Sequence, residues 1–290
     1  MLPVETFDIK IKEFWPKDGP PTHKIEKYVK KYLKEKIVIK CGGRILLDPI
    51  LFNNFIEDVA TLKKLGLIPI VVHGGGPRIK KKLDSLNIES KFIMGLRITD
   101  EKVIKVVEEV MTEFNKEIVI ALENKNSKAK SITIKENIAI YTTQKNKELG
   151  YVGYPSRIDV EVIKNIINDN SIPVVTPMGI DDKKQAYNIN ADVAAGALAI
   201  SLKSRRLLLM TDVEGVYNRD KEIISEIKPI DAEKLVEDGT IREGMIPKIR
   251  TCINAAENGV KGVVIIDGRK PHSILFELFS DEGAGTLIRK

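Results

Sequence analysis

The chain of 290 residues is long enough for one large α/β domain or two lobes, and its 43% hydrophobic and 30% charged residues are typical of a globular protein. A formal charge of +6 raises the question of nucleic acid binding. However, no basic stretch is interleaved with aromatic residues, and a preference for small anionic molecules explains the charge equally well. We therefore expect no nucleic acid partner.

The compartment is predicted from the cysteines and from the apolar runs. Cys41 and Cys252 lack metal-ligand spacing and are too few for a disulfide framework, so we expect a reducing environment and no protein-held metal ion. The N-terminus does not resemble a leader, and no apolar run approaches the roughly 20 residues that span a bilayer. These features predict a cytoplasmic protein that contacts no membrane.

Residues 1–36 are predicted to form an N-terminal arm that ends in a helix. Residues 1–21 hold Trp15 and a Gly-Pro-Pro cluster, which favour irregular structure. Further on, apolar residues recur at the spacing of one helix face: Ile25, Tyr28, Val29, Tyr32 and Leu33. The opposite face is rich in lysine. The apolar face packs either on the core of its own chain or, as an oligomerisation helix, on another subunit.

From residue 37 onward, short apolar runs alternate with helical segments. The predicted strands are Ile37–Lys40, Ile68–His73, Ile172–Thr176, Leu207–Met210 and Gly262–Asp267. The predicted helices are Pro49–Leu65, Arg78–Leu86, Glu101–Glu123, Ile158–Asn168, Val193–Leu202, Ala232–Asp238 and Ile249–Asn258. The remaining segments are a polar connection, a β-hairpin excursion and a final apolar segment that runs into glycines: Asn124–Asn137, Ile138–Pro155 and Ile274–Leu287. The alternation predicts an α/β fold with a mostly parallel open sheet covered by helices on both faces.

The strand Ile68–His73 ends in three glycines, which are followed by Pro77 and a helix. Proline at the start of a helix is favourable because its missing N–H has no helical partner there. Three glycines remove every side chain from the turn, so that amides and a helix N-terminus can face an anion. A tight turn alone needs only one glycine. We therefore favour an anion site, and the motif taken alone suggests a nucleotide phosphate.

Several strands end in glycine or in Asn/Asp clusters, and ligands of open parallel sheets lie beyond the carboxyl ends of the strands. We expect these clusters to share one crevice. The sequence lacks the P-loop motif and the protein-kinase signatures. It also lacks the glycine pattern of dinucleotide-binding proteins, which disfavours a dinucleotide oxidoreductase. His73 ends a buried strand and is predicted to be a structural hydrogen-bonding residue rather than a base.

Two lysines stand beside glycines at predicted turns. Lys40 ends the first strand before a Gly-Gly pair, and Lys248 follows Gly244 at the start of a helix. Each lysine points either into the crevice or, as an ordinary surface lysine, towards solvent. Asp192 starts a helix and is either its N-terminal cap or the carboxylate that holds both ammonium groups. The arrangement with both ammonium groups held would suit phosphoryl transfer, which needs positioning and charge stabilisation.

Six short motifs follow one another along the chain: Val38–Gly43, Val72–Pro77, Gly95–Asp100, Asn188–Asp192, Thr211–Tyr217 and Gly244–Lys248. In this order they resemble the motifs of the amino acid kinase family, and specifically of its acetylglutamate kinase branch. Each motif alone is weak, but six in register from residue 37 to the C-terminus are highly specific.

The resemblance implies a three-layer αβα sandwich with two lobes. Residues 37–203 would bind acetylglutamate, and residues 204–290 would bind ATP. The implied reaction is ATP-dependent phosphorylation of the γ-carboxylate of N-acetyl-L-glutamate, the second step of arginine biosynthesis. Mg²⁺ would arrive with ATP and be held mainly by its phosphates.

The resemblance also implies roles for individual residues. The catalytic residues would be Lys40, Gly43, Asp192 and Lys248. The acetylglutamate would be bound by Gly75, Gly76, Arg97 and Asn188, so that the triple glycine faces the acceptor carboxylate rather than ATP. The nucleotide would be bound by Gly42, Thr211, Asp212, Gly215, Val216, Tyr217, Ile241, Arg242 and Met245.

The N-terminal helix and the C-terminal segment resemble parts of the arginine-inhibited members of the family. In those proteins, such helices join dimers into a ring, so the resemblance implies a hexamer built as a trimer of dimers. An allosteric arginine site would hold Tyr28, His272, Glu277, Gly283 and Gly285. Feedback inhibition by arginine is therefore a hypothesis.

Two alternatives stay open. A kinase of another carboxylate, such as carrier-bound aminoadipate in lysine biosynthesis, uses similar glycine motifs, although the N-terminal arm and the C-terminal segment argue against it. A catalytically silent arginine sensor would be expected to lack Lys40, Asp192 or Lys248, and all three are present. The sequence does not decide whether a nitrogen-signalling protein binds.

Overall fold

Short strands and helices alternate along the chain in the computed structural model, which describes residues 11–93, 95–242 and 244–290. In these ranges the strands are β1 (Lys36–Cys41), β2 (Ile68–His73), β3 (Phe92–Ile93), β4 (Leu96–Arg97), β5 (Ala129–Ile132), β6 (Ile140–Gln144), β7 (Gly153–Ile158), β8 (Ile172–Val175), β9 (Met178–Ile180), β10 (Ala186–Asn188), β11 (Arg206–Thr211), β12 (Glu226–Ile227), β13 (Val263–Asp267) and β14 (Gly285–Ile288). The α-helices are α1 (Ile25–Tyr32), α2 (Pro49–Lys64), α3 (Gly76–Ser85), α4 (Glu101–Asn124), α5 (Val160–Asn168), α6 (Ala191–Ser201), α7 (Pro229–Glu237), α8 (Met245–Glu257) and α9 (Ser273–Phe279).

Eight of these strands form one central sheet in the order β12-β14-β13-β11-β1-β2-β8-β5. Neighbouring strands are parallel except for β13 and β14, which are antiparallel. The predicted open, mostly parallel sheet is therefore confirmed.

Successive side chains of each central strand face two different hydrophobic cores, as in a sheet that is buried on both faces. On β1, Ile37, Ile39 and Cys41 lie in one core, and Val38 lies in the other. Helices α1, α2, α4 and α9 cover the first core, and α5, α6, α7 and α8 cover the second. The molecule thus has the predicted three-layer αβα arrangement.

The central sheet continues across residue 203, where the two lobes are predicted to divide. Strand β1 pairs with β11 on one side, with Lys40 opposite Leu209, and with β2 on the other, with Cys41 opposite His73. This register places the carboxyl ends of β11, β1 and β2 side by side. The assignment of one ligand to each lobe stays a prediction.

The predicted hairpin excursion is present, because β6 and β7 pair in antiparallel fashion and join β9 and β10 in a separate four-stranded sheet. The interpretation of Asn124–Asn137 as a connection throughout is wrong, because Ala129–Ile132 forms the edge strand β5. In that strand only Ala129 and Ile132 are buried, so it lacks the continuous apolar run of a central strand.

The apolar face of the N-terminal helix packs on the core of its own chain. In α1, Ile25, Tyr28, Val29 and Tyr32 are buried in the first core beside α9. Leu33, expected on the same face, follows the helix and is 51% exposed. Residues 1–10 of the predicted arm lie outside the described ranges. Among the described helices, none combines the length and the apolar character needed to cross a bilayer.

Candidate active site

A nearly buried carboxylate lies between two lysines at the carboxyl end of the central sheet. Lys40 Nζ is 3.0 Å from Asp192 Oδ1, and Lys248 Nζ is 2.7 Å from Asp192 Oδ2. The three side chains are only 12–13% exposed. Lys40 comes from β1, Asp192 from the first turn of α6 and Lys248 from the first turn of α8. The fold therefore brings together three residues that are far apart along the chain.

The charges of the two lysines determine the state of Asp192. Burial alone would raise its pKa, but the attraction of Lys40 and Lys248 lowers the pKa to about 2. Asn190, not Asp192, caps α6, because its Oδ1 accepts from the Asp192 and Val193 amides. Of the two alternatives for Asp192, the structure shows the carboxylate that holds both ammonium groups.

The glycine turns after β1 and β2 touch each other. The Gly74 amide donates to Cys41 O at 2.7 Å. A Cβ on Gly74 would lie 3.3 Å from Gly42 Cα, and a Cβ on Gly42 would lie 2.8 Å from Lys40 Nζ. Gly43 has a φ of +67°, in the left-handed region that favours glycine. Two turns without side chains therefore meet beside Lys40, which with Lys248 forms the lysine pair of the site.

The last two glycines of the triple glycine, Gly75 and Gly76, lead into α3 and have amides that donate no hydrogen bond within the described ranges. Within the described ranges, neither Gly75 nor Gly76 donates its N–H to another residue, and no side chain caps α3. A Cβ on Gly75 would lie 2.2 Å from Met111 Sδ, so any side chain there collides with α4. Free amides at a helix N-terminus form a site for an anion.

Arg97 lies over this turn as a buried cation. Its guanidinium donates to Ser90 Oγ and, at 3.1 Å, to Gly76 O, and it lies 4.7 Å from the centre of the Phe92 ring. Burial lowers the pKa of Arg97, and no described acidic side chain is within ion-pair distance of it. A guanidinium that is only 8% exposed and lacks a carboxylate partner suits an anionic ligand.

Asn188 is connected to Arg97 through Thr99. The Asn188 amide donates to Thr99 Oγ1 at 3.3 Å, and that hydroxyl donates to Arg97 O at 2.9 Å. The four predicted acceptor residues therefore lie in one neighbourhood. Sequence reasoning missed the contacts of Ser90 and Thr99 with these residues.

Known proteins share the sequence patterns that build this site. A family model described as the amino acid kinase family matches residues 35–267. The chain belongs to the amino acid kinase family.

Relatives within the amino acid kinase family match almost the whole chain. It is 56% identical to the acetylglutamate kinase of Pelagibacter ubique, over 95% of this chain and 96% of that protein. It is 42% identical to the acetylglutamate kinase of Novosphingobium aromaticivorans, over 90% of this chain and 93% of that protein.

Solved structures share the fold at low sequence identity. The N-acetylglutamate synthase of Neisseria gonorrhoeae, in complex with coenzyme A and N-acetylglutamate, has a TM-score of 0.83 and 22% identity, covering 92% of this chain and 62% of that one. The carbamate kinase of Giardia lamblia bound to AMP-PNP has a TM-score of 0.66 and 19% identity, covering 88% and 98%. These likenesses bear on the fold of this amino acid kinase and not on its ligands.

The predicted nucleotide residues of this amino acid kinase begin at the same edge of the sheet. Strand β11 ends at Thr211 beside β1, and the segment to Tyr217 crosses towards β14, where the Val216 amide donates to Thr286 Oγ1 at 2.8 Å. A Cβ on Gly215 would lie 2.6 Å from the same hydroxyl. The Asp212 carboxylate accepts from the Thr211 hydroxyl.

The second predicted nucleotide segment leads directly into the helix that carries Lys248. Ile241 is buried, and its amide donates to Leu235 O. The exposed Arg242 donates to Gly239 O at 2.6 Å, and α8 starts at Met245, four residues before its predicted start. The structure thus ties this segment to the lysine pair through α8.

Part of the predicted arginine site is assembled around the turn that follows α9. Tyr28 donates its hydroxyl to Asp281 Oδ1, and Glu277 Oε2 accepts from the Ala284 amide at 2.8 Å. Gly283 has a φ of +71°, and a Cβ there would lie 2.9 Å from Glu277 Oε2. Burial raises the pKa of Glu277, against the opposing charges of Arg206 and Lys31.

The other two predicted arginine-site residues have separate local roles. His272 Nδ1 lies 2.6 Å from Asp58 Oδ1 on α2, in a pair that is almost fully buried. Gly285 pairs with Ile266 in the sheet, and a Cβ there would lie 1.9 Å from Ile265 O. Sequence reasoning also missed Arg206, which is 7% exposed, forms no ion pair within the described ranges and leaves Nε without a partner.

Proposed function

We propose that the chain is an acetylglutamate kinase, which transfers the γ-phosphoryl group of ATP to the γ-carboxylate of N-acetyl-L-glutamate in arginine biosynthesis. The observation that carries the proposal is the 56% identity to the Pelagibacter ubique acetylglutamate kinase over 95% of the chain. The charged groups at the carboxyl end of the sheet support it, because they suit a reaction between two anions.

The acceptor would lie between the triple glycine and Arg97. The guanidinium of Arg97 has no carboxylate partner in the described ranges and would pair with the α-carboxylate of acetylglutamate. The free amides of Gly75 and Gly76 would receive the γ-carboxylate, and Asn188 would bind the remaining polar groups. The space between the triple glycine and Arg97 would then hold one small dicarboxylate.

Transfer needs no general base. A γ-carboxylate with an ordinary pKa of about 4.3 is already ionised at neutral pH. Its oxygen forms a bond to the γ-phosphorus as the bond from that phosphorus to the bridging β,γ-oxygen breaks, and ADP leaves with the electron pair. Lys40, Lys248 and the Gly42 and Gly43 amides would stabilise the charge on the group in transfer.

Mg²⁺ would come with ATP. Within the described ranges no group of three or more His, Cys, Asp or Glu side chains is placed to hold a metal ion. Asp192 is engaged by two ammonium groups at 2.7 and 3.0 Å. These features fit an ion held mainly by phosphates and water, which would neutralise phosphate charge during transfer.

A trapping assay tests the reaction. The purified protein is incubated with ATP, Mg²⁺, hydroxylamine and one acceptor, because hydroxylamine converts an acyl phosphate into a stable hydroxamate. We expect hydroxamate with N-acetyl-L-glutamate and none with free glutamate. Product formation only with aminoadipate on its carrier protein would favour the lysine-pathway alternative, and arginine binding without any product would favour the silent sensor.

Arginine is the proposed inhibitor. Glu277 is a half-buried carboxylate without an ion-pair partner in the described ranges, and it would accept hydrogen bonds from the guanidinium of a free arginine. Arg206, which also forms no ion pair in the described ranges, would donate hydrogen bonds to the α-carboxylate of the same molecule. The Neisseria gonorrhoeae N-acetylglutamate synthase, which shares the fold, has been solved with L-arginine.

The proposed assembly is a hexamer, a trimer of dimers. Because the apolar face of α1 is buried in its own chain, contacts with another subunit would use the lysine-rich face and the exposed Leu33. The location in the cytoplasm stays a prediction.

A further inference from the structure

Beneath the triple glycine lies a buried polar chain that the proposed transfer does not use. His73 and Asn115 are both 0% exposed. Asn115 Nδ2 lies 2.9 Å from Val174 O on β8 and 3.2 Å from His73 Nε2. At the other edge of the ring, His73 Nδ1 lies 3.1 Å from Gly74 O.

The two ends of this series of hydrogen bonds determine the position of every proton in it. Both ends are backbone carbonyls, which can only accept hydrogen bonds. The Asn115 atom beside Val174 O must therefore be the amide nitrogen, and this nitrogen also donates to His73 Nε2. The ring proton is then on Nδ1, where it donates to Gly74 O.

The surroundings keep the ring neutral and fix its plane. Burial lowers the pKa of His73 to about 4, although its hydrogen bond with Gly74 opposes the shift. The Phe114 ring packs edge-on against the imidazole, with ring centres 5.1 Å apart. His73 is therefore a single neutral tautomer, and its one N–H, on Nδ1, donates to Gly74 O in the glycine turn.

The orientation of one peptide plane follows. The carbonyl of Gly74 and the N–H of Gly75 belong to the same trans peptide, so they point in opposite directions. With the carbonyl held by the buried imidazole, the Gly75 N–H faces away from the core, and in the described ranges it donates to no residue.

We propose that His73 and Asn115 are positioning residues for the acceptor: Asn115 selects the Nδ1–H tautomer of His73, which turns the Gly75 N–H towards the carboxylate to be phosphorylated. This inference rests on the proposed function. Asn115 destabilises the core through its Oδ1, which is buried and has no hydrogen-bond partner among the described residues. The donor on the same amide explains why an asparagine lies there.

A pair of isosteric variants tests the role of the tautomer. In His73→Asn the amide nitrogen replaces Nδ1–H, whereas in His73→Gln it reaches the position of Nε2. We expect His73→Asn to keep the KM for acetylglutamate within about threefold and His73→Gln to raise it at least about tenfold, with the KM for ATP unchanged in both. The control is His23→Gln, an exposed histidine outside the site.

A loss of folding would reduce the amount of active enzyme without this difference between the two variants. Equal KM values for acetylglutamate in His73→Asn and His73→Gln would overturn the inference.

A second measurement does not depend on turnover. The chain has only three histidines, so ¹⁵N-histidine labelling gives few side-chain signals to assign. We expect wild-type His73 to carry its proton on Nδ1 at neutral pH, and Asn115→Leu to produce a mixture of tautomers. A proton on Nε2 in the wild type would overturn the inference. If the wild type did not phosphorylate acetylglutamate, the proposed function would fail while this result still stood.

Discussion

Two ammonium groups share one carboxylate at the centre of the candidate active site. Asp192 is ionised at neutral pH, because Lys40 and Lys248 hold its pKa at about 2 despite its burial. It is therefore a poor base, and it holds the Lys40 and Lys248 ammonium groups in place. The proposed carboxylate acceptor is already ionised, so phosphoryl transfer would need no general base at this site.

The first prediction concerns the lysine pair. Lys40→Ala and Lys248→Ala should each lower kcat by about 10²-fold and change the KM values little, because each lysine acts mainly on the charge of the transition state. Steady-state kinetics with both substrates measure this. Lys130→Ala, which removes an exposed lysine paired with Asp169, is the control and should keep the wild-type kcat. A rise in KM at constant kcat would contradict the catalytic role.

The second prediction concerns Arg97. Arg97→Ala should raise the KM for acetylglutamate roughly 10- to 100-fold, because it would remove the proposed charge-assisted pair between the guanidinium and the α-carboxylate of the substrate. Arg97→Lys should recover only part of the loss, since an ammonium cannot pair bidentately. An unchanged KM for acetylglutamate in Arg97→Ala would show that the substrate assignment is wrong.

At the scale of elements, the turn between β2 and α3 is limited by packing as well as by ligand binding. A methyl group on Gly75 would meet Met111 of α4, whereas a methyl group on Gly76 would have no atom of the described residues within 4 Å. The two neighbouring glycines thus differ in the reason for which they lack a side chain.

The third prediction follows from that difference. Gly75→Ala should lower the free energy of unfolding by about 1–3 kcal/mol, because the new methyl group forces Met111 to move. Gly76→Ala should change the free energy of unfolding by less than about 0.5 kcal/mol, since its methyl group meets open space. Denaturant titration of both variants measures this. Equal losses would mean that the contact with Met111 does not restrict the turn.

Helices α2 and α9 are joined by the buried pair Asp58–His272. Burial alone would lower the pKa of His272, but the hydrogen bond and the charge of Asp58 raise it above its ordinary value. The stabilisation from a raised histidine pKa is fully present below about pH 6.5 and is lost as the pH rises through the folded value.

The fourth prediction is therefore a loss of stability as the pH rises above about 6.5 and through the raised pKa of His272. Asp58→Asn should lower the free energy of unfolding by about 3 kcal/mol at pH 7, where Asp58 is mostly ionised although burial raises its pKa to about 6, and should flatten its pH dependence. Thermal unfolding across this range measures both effects. Asp231→Asn, which breaks an exposed pair with Lys234, is the control and should leave the pH dependence intact. A wild-type slope in Asp58→Asn would assign the effect to other groups.

At the scale of the molecule, the proposed arginine site lies where α1 meets the turn after α9. The fifth prediction is that Glu277→Gln raises the arginine concentration for half-maximal inhibition at least about tenfold, because a neutral amide pairs poorly with a guanidinium. Activity is titrated with arginine, and mass in solution is measured with and without it. Wild-type activity that is indifferent to millimolar arginine would contradict the regulation. A dimeric mass would contradict the hexamer.

The central strands were predictable because burial on both faces imposes continuous apolar runs. β1, β2, β8, β11 and β13 all carry such runs. The strands β5 and β12, at the two edges of the sheet, were not predicted. Both are partly exposed, so they lack the continuous apolar run of a central strand. The antiparallel course of β14 depends on pairing with β13, which no local pattern reports.

The sequence by itself determined the family, the layered fold and the residue types at the site, because glycine turns and strand patterns are local properties. Tertiary structure decided which of these residues meet. Only packing of α6 and α8 on the sheet joins Asp192 to Lys40 and Lys248, and thereby makes it an anchor rather than a cap. Asn115 shows the same limit. It interrupts the buried face of a long helix, and only the approach of α4 to β2 and β8 turns it from an unexplained polar residue into a donor to His73.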